Sequence, residues 1–221
     1  MAKKMLTLLL LMMLFTSVGF ASPLTDYSSG KVAVDILFLP NIDNDSPYRA
    51  KVGSASMAES ADGKSDNLSW GAAFGLGNNF ALEYRQMDVA TEQCKRSNDY
   101  LKIDGREINV LYKTGKNLAV FVGYHRAKFI NATANWSTQS KNAFQVGLVG
   151  WTDLAPETTL FGRAGLGNDL TSYEIGLSHA LSANVDLNLV YRYREAKNFD
   201  KNTIYIDDTS KGFGAGLTFK F

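Results

Sequence analysis

The residues at the end of the chain alternate in character more strictly than any other stretch. In residues 212–221, every odd-numbered position from Phe213 to Phe221 is apolar, and three of these five are phenylalanine. The even-numbered positions are glycine, threonine or lysine. Successive side chains of a β-strand point to opposite faces, so this strand has one greasy face and one small, polar face. A strand of a membrane barrel needs such a pattern, because one face meets lipid and the other meets a lumen.

The same period of two recurs along most of the chain. Nine further stretches alternate between apolar and polar or small residues, some of them weakly; they are 31–38, 68–76, 80–85, 107–113, 118–125, 144–148, 159–166, 173–178 and 185–194. With the terminal strand the pattern predicts ten strands, and eight is the alternative count. The class is all-β: a closed, antiparallel, up-and-down transmembrane β-barrel. A soluble β-sandwich is the alternative, because alternation alone does not distinguish lipid from a facing sheet.

Short connections alternate with long ones. The short ones are rich in Gly, Asn, Pro or Ser, as hairpin turns require, and lie at 77–79, 114–117, 154–157 and 181–184. Longer polar loops are expected at about 40–66, 90–105, 129–141 and 195–211, and a short link near 167–171 is the exception. Tight turns at one end and long loops at the other are typical of outer-membrane barrels, whose turns lie in the periplasm. An even strand number then places both termini in the periplasm.

The N-terminus predicts export. Two lysines precede an apolar run from Met5 to Phe15, and Gly19-Phe20-Ala21 offers a cleavage site, so residues 1–21 are expected to be a signal peptide. Residues 22–221 then form one barrel domain. Its formal charge is −1, because two of the 23 cationic residues leave with the signal and 22 acidic residues remain. A charge so close to zero gives no reason to expect a nucleic-acid partner. No mature segment approaches the run of about 20 apolar residues that a transmembrane helix needs.

These features together resemble the small outer-membrane β-barrel family that includes the OmpA-like and Opa-like transmembrane domains. The resemblance covers all of 22–221, and its most specific part is Gly216-Leu-Thr-Phe-Lys-Phe221. Gly216, Phe219 and Phe221 look like the C-terminal signal that the barrel-assembly machinery reads, although the family usually has a polar residue where Gly214 stands. The resemblance implies location in the cell outer membrane, with outer-membrane lipid and the assembly machinery as partners.

The inward-facing positions carry both signs of charge. The predicted lumen charges are Lys31, Asp35, Glu83, Arg85, Glu107, Arg163, Glu174, Arg192 and Arg194. A barrel of eight to ten strands is wide enough only to be filled by side chains or to leave a thin channel. These charges therefore predict either a salt-bridged interior that holds the barrel shut or a narrow, non-specific pore. The first hypothesis for function is accordingly a structural, membrane-stabilising or porin-like barrel.

Two other functions remain open. The long loops carry the aromatic residues Tyr48, Trp136 and Tyr205, so the alternative is surface recognition of an unknown extracellular ligand. A hydrolase is a remote third: it requires His179, or His125 with Asp207 or Asp208, to act in catalysis, and no spacing in the sequence demands either. We expect no enzyme activity, no catalytic residue and no cofactor. Calcium binding by Asp43, Asp45, Asp62 and Asp66 lacks the spacing of a known calcium loop, so no metal site is predicted.

Overall fold

The computed structural model describes residues 24–52, 55–91, 101–131, 136–138, 140–201 and 204–221. The predicted signal peptide, residues 1–21, lies outside this part of the chain. All regular secondary structure in the described residues is β-strand. None of the described segments is a helix long and apolar enough to cross a membrane.

Ten long strands close into one ring. The strands are β1 (Val32–Val52), β2 (Ala55–Gly77), β3 (Phe80–Thr91), β4 (Leu101–Gly115), β5 (Leu118–Asn131), the two-residue β6 (Trp136–Ser137), β7 (Lys141–Ala155), β8 (Thr158–Gly167), β9 (Leu170–Ser182), β10 (Val185–Lys201) and β11 (Ile204–Lys220). Each long strand pairs antiparallel with its neighbours in sequence, β6 pairs only with β5, and β11 pairs with β1 to complete the ring. The prediction of a closed ten-stranded barrel is confirmed, and the count of eight is wrong.

The short turns lie together at one end of the barrel, here called the turn end. The turn between β2 and β3 is Asn78-Asn79, with φ of 52° and 67°. Two consecutive positive φ angles match the right-handed twist of the flanking strands, and asparagine tolerates them better than most residues. The chain also closes at this end: the backbone N–H and C=O of Phe221 bond to Val32 at 2.9 and 3.1 Å.

Two of the predicted long loops, 40–66 and 195–211, are strand in their described residues, and that part of the prediction is wrong. The stretch 40–66 is a hairpin in which Asp43 pairs with Lys64 and Val52 with Ala55. The stretch 195–211 likewise continues β10 and β11 up to a connection at 202–203. These extensions lie beyond the apolar band, so their sequences lose the hydrophobic alternation. The backbone ladder continues through both stretches, with register shifts at Leu39/Ile42 and Ala196/Phe199. A polar strand of this kind has the composition of a loop.

The rim at this second end, here called the loop end, is uneven. Beyond Phe38, β1 continues for about 14 residues, or about 45 Å of strand. β10, β11 and β2 rise with it, since Ala50 pairs with Ile204 and Met57. By contrast, β8 and β9 are joined by the two-residue turn Asn168-Asp169. The barrel therefore has one tall wall and one low wall.

The outer surface carries an apolar belt. Among the residues whose side chains are described, twenty-seven large hydrophobic ones are exposed, including Leu68, Trp70, Phe74 and Leu76 on β2. The nine strand residues 68–76 span about 30 Å if strand tilt is ignored, comparable with the apolar band of about 25 Å in membrane barrels. Aromatic pairs mark the edges of the belt, for example Trp70 with Tyr84 at 5.1 Å between ring centroids. A soluble sandwich would bury these side chains, so the belt defines a lipid-facing surface.

Candidate functional site

The lumen holds an ion-pair network at mid-height. Both guanidinium nitrogens of Arg163 donate to Glu83, Nη1 to Oε1 at 3.0 Å and Nη2 to Oε2 at 2.8 Å. The guanidinium also lies 4.1 Å from the centre of the Phe121 ring. Asn109 Nδ2 donates to the same Glu83 Oε2 at 2.9 Å. This bidentate pair joins β8 to β3 across the barrel interior, and its geometry is the strongest that an arginine and a carboxylate can make.

A second group is centred on Glu174. Arg85 Nη2 donates to Glu174 Oε2 at 2.8 Å, and Arg192 donates to the same oxygen through Nε at 2.7 Å. Arg192 Nη1 also donates to Ser69 Oγ at 3.1 Å. One carboxylate thus holds two guanidinium groups, and strands β2, β3, β9 and β10 are tied together through the lumen.

A buried histidine links the third group. Arg194 Nη2 lies 2.8 Å from His125 Nε2, and His125 Nδ1 lies 3.4 Å from Glu107 Oε1. Because a guanidinium can only donate, His125 Nε2 must accept, which leaves the ring proton on Nδ1 facing the carboxylate. Gln145 Nε2 donates to Glu107 Oε2 at 3.3 Å and to Asn109 Oδ1 at 2.6 Å, and so joins this group to the Glu83 pair.

The N-terminal segment 24–31 closes the turn end. Tyr27 is buried to 4% exposure, its carbonyl accepts from the Gly77 N–H at 2.9 Å, and Leu24 packs on the buried apolar cluster. Lys113 Nζ donates to the Thr25 carbonyl at 2.8 Å. Gly75 is required here, because a Cβ at that position would lie 2.2 Å from the Ser28 carbonyl oxygen.

An apolar layer fills the interior toward the loop end. Its largest buried side chains are Ile103, Phe129, Leu170, Phe199 and Ile206, each at most 3% exposed. Between this layer and the N-terminal segment there is a cavity of about 70 Å³ beside Arg85, Glu174 and Arg192. A volume of that size holds a few waters. The part of the lumen that the structure describes is therefore filled at three levels.

Asp208 lies above the membrane belt, five positions beyond the exposed Phe213 on β11. Its Oδ1 accepts from Ser46 Oγ at 2.9 Å. Burial raises the pKa of Asp208 to about 6, against the opposing effects of Arg194 and of the Ser46 hydrogen bond. The carboxyl is therefore partly protonated near pH 6.

The predicted lumen charges occupy three environments. Glu83, Arg85, Glu107, Arg163, Glu174, Arg192 and Arg194 all meet in the network described above. Asp35 lies nearer the turn end and accepts from Thr218 Oγ1 at 2.5 Å. Lys31 is exposed at the rim, not in the lumen, because the chain turns there from the N-terminal segment into β1. Nearby, Lys220 pairs with the buried Asp186 at 2.7 Å.

The histidines do not pair with the aspartates considered in the sequence analysis. His125 faces Glu107, whereas Asp208 bonds to Ser46 and Asp207 accepts from the Asn198 N–H at 2.8 Å. His179 is exposed near the turn end, with Nδ1 2.9 Å from Thr158 Oγ1.

The metal and recognition hypotheses involve residues that are only partly described. Among the residues that the structure describes, no group of three or more His, Cys, Asp or Glu side chains could hold a metal ion. The side chain of Asp62 lies outside that part, as do those of Tyr48, Trp136 and Tyr205.

The three residues of the predicted assembly signal lie on β11 and just beyond it. Gly216 pairs with Leu37 and Phe219 with Val34, both on β1. A Cβ on Gly216 would lie 2.3 Å from the Ile36 carbonyl oxygen, so this position needs glycine for close strand approach. Phe221 is exposed and closes the ring with Val32.

Sequence reasoning missed the N-terminal segment and the polar links between the ion pairs. Tyr27 precedes the first strand, and no pattern in the sequence marks it as a lumen residue. Asn109 and Gln145 are neutral, so a search for charged inward-facing residues does not find them. The signal in the sequence was the pair of glycines Gly75 and Gly77, which allow the backbone near Tyr27 to approach β2 closely.

A closed antiparallel ring with a polar interior and an apolar outer belt defines an integral β-barrel of the outer-membrane type, which is embedded in a lipid bilayer. Several solved structures are similar to this chain. The outer membrane protein AlkL is 16% identical, with 93% of this chain and 98% of that one covered and a TM-score of 0.45. Neisserial surface protein A is 16% identical, with 87% and 100% covered and a TM-score of 0.41. The attachment invasion locus protein Ail of Yersinia pestis is 13% identical, with 86% and 99% covered and a TM-score of 0.33.

No protein-family model and no curated protein matches the chain.

Proposed function

We propose that this chain is a structural barrel of the cell outer membrane that stays closed at rest. The observation that carries the proposal is the filling of the lumen at three levels: the N-terminal segment, the ion-pair network and the apolar layer. Buried ion pairs are costly to separate, so a solute path through the network would have to break several at once. The role is membrane-stabilising and non-enzymatic, and the narrow porin-like pore is the less favoured form of the same function.

The proposal includes an orientation. The turns and both termini face the periplasm, and the tall wall faces outward, as in other barrels with short turns at one end. Gly216, Phe219 and Phe221 serve as the signal for the barrel-assembly machinery. Cleavage after Ala21 frees the chain shortly before segment 24–31, which enters the lumen at the turn end.

Single-channel recording tests closure. Residues 22–221 are refolded, shown to be folded by the heat-modifiable gel shift, and inserted into planar bilayers beside a known porin. We expect no discrete current steps from this protein. Reproducible current steps whose size scales with salt concentration would show that the barrel is an open pore and would contradict the proposal.

Labelling of intact cells tests orientation separately. In a Cys94→Ser background, Lys64→Cys places a thiol on the tall wall and Lys116→Cys places one in a turn; both lysines are exposed. A membrane-impermeant maleimide should label only the Lys64→Cys protein. Labelling of only the Lys116→Cys protein would show that the barrel has the opposite orientation.

A second function is favoured by the tall wall. The β1–β2 hairpin rises about 45 Å of strand beyond the belt, much more than a closed barrel needs. Surface recognition would use this hairpin. Cells that carry a barrel with the hairpin shortened above Asp43 and Lys64 should then lose binding to host cells or phage, while the heat-modifiable shift remains. Unchanged binding would remove this function.

A further inference from the structure

A row of hydrogen-bond donors crosses four strands on the outer surface, just above the belt at the loop end. Strand register places Gln86 beside Arg106, Arg106 beside Arg126, and Arg126 beside Asn142. We call these four residues the donor row. Arg106, Arg126 and Asn142 are exposed, and Gln86 is half-buried.

The next outward-facing positions below the donor row are lipid-facing. They are Tyr84, Ile108, Tyr124 and Phe144, which share a register row of their own. Tyr124 and Phe144 pack edge to face, with 5.8 Å between ring centroids. Aromatic rings of this kind sit at the level of lipid headgroups, so the donor row lies where headgroups are.

Two arginines directly opposite each other on neighbouring strands repel, which normally destabilises a sheet. Partial neutralisation comes from Asp104, whose carboxylate is 3.3 Å from Arg106 Nη2, and Arg126 Nη2 donates to Ser140 Oγ at 3.1 Å. One row higher, Asp104 stands between Asp88 and Lys128, so three cations and two carboxylates meet here. An anion lying between the two guanidinium groups would turn their repulsion into a binding site.

The opposite side of the barrel differs at the same height. There the outward positions just above the belt include Glu195 and Asp66, with Lys211 between them in ring order. The opposite side therefore carries exposed charges of both signs at this height, whereas on the β4–β5 side two arginines stand directly opposite each other.

We infer that the donor row binds the phosphate group of an outer-leaflet lipid. Guanidinium groups match phosphate oxygens in a bidentate fashion, and the flanking amides supply further N–H donors. The rings beneath hold the acyl part of the same molecule, which favours a lipid-borne phosphate over a free one. The inference rests on the orientation proposed above.

Titration with lipid A tests the site in zwitterionic micelles, where orientation plays no part. A cation near an anionic surface contributes about a factor of five, so Arg106→Gln with Arg126→Gln should weaken lipid A binding about 25-fold. The matched control, Lys64→Gln with Lys211→Gln, removes two exposed cations from the other side and should change binding less than twofold. Arg106→Lys with Arg126→Lys should bind with an intermediate affinity, because lysine keeps the charge but cannot donate in the bidentate geometry.

Each probe separates one alternative. Lipid A with its phosphates hydrolysed off should bind all the variants equally weakly, and inorganic phosphate should not compete at equal concentration. Retained affinity in the double glutamine variant overturns the site, as does an equal loss in the control pair. Competition by inorganic phosphate at equal concentration overturns the lipid as its source. The heat-modifiable shift verifies folding of every variant, and the current and labelling experiments report separately on closure and orientation.

Discussion

Removal of one partner of the Glu83–Arg163 pair is expected to lower the free energy of unfolding far more than removal of both. Glu83→Gln keeps the size of the side chain but leaves the Arg163 guanidinium charged, and the arginine side chain is only 7% exposed. The pair is bidentate, and Asn109 donates to it as well. An uncompensated buried charge costs about 3–5 kcal/mol, equivalent to a 10²–10³-fold or greater shift toward the unfolded state.

The measurement is urea unfolding of the refolded barrel in lipid vesicles, followed by tryptophan fluorescence and by the heat-modifiable gel shift. Arg163→Gln in the Glu83→Gln background should recover most of the loss, because no buried charge then remains. The two single variants and the double variant form a cycle that isolates the pair energy. A loss below about 1 kcal/mol for Glu83→Gln, or a double variant as unstable as the single one, would refute the view that this pair holds the lumen shut.

Three further predictions use the same unfolding measurement. Because the pKa of Asp208 is raised from 3.8 to about 6, its protonated carboxyl contributes fully to the free energy of unfolding below pH 3.8, and this contribution is lost as the pH rises through 6. The expected loss is about 3 kcal/mol, and Asp208→Asn should show no such decline. Gly75→Ala should cost about 1–3 kcal/mol by displacing segment 24–31, whereas Gly150→Ala, whose Cβ would meet nothing nearer than 3.8 Å, should change stability little. Deletion of Phe221 removes two bonds to Val32, so we expect a loss of about 1–3 kcal/mol and less assembled barrel in cells. A wild-type stability that does not change with pH would contradict the first prediction, and equal stabilities of the two glycine variants would contradict the second. Unchanged assembly without Phe221 would contradict the third.

The sequence predicted the membrane-spanning part of the fold well. The stretches 68–76, 80–85 and 118–125 lie inside β2, β3 and β5, and the turn at 77–79 is where the structure has it. This success has a simple cause: lipid on one face and a packed lumen on the other impose a period of two on every residue. The inward set from Glu83 to Arg194 could be named for the same reason.

The prediction failed where that two-sided constraint ends. Residues 40–52 and 55–66 are strand, yet both faces of a strand above the membrane can carry polar side chains, so no alternation marks them. Segment 24–31 has no strand pattern at all, and only the ring of strands around it creates the space that Tyr27 fills.

The sequence by itself therefore determined the class of the fold, the lipid-facing residues and the residue types inside, because each follows from the direction of a side chain along one strand. Only the tertiary structure decided the partners: Glu83 with Arg163, Glu174 with two arginines, and Arg106 beside Arg126. Those pairings depend on strand register and on closure of the ring, which bring together residues up to about 90 positions apart. Register is a property of two strands at once, and a single strand's sequence does not contain it.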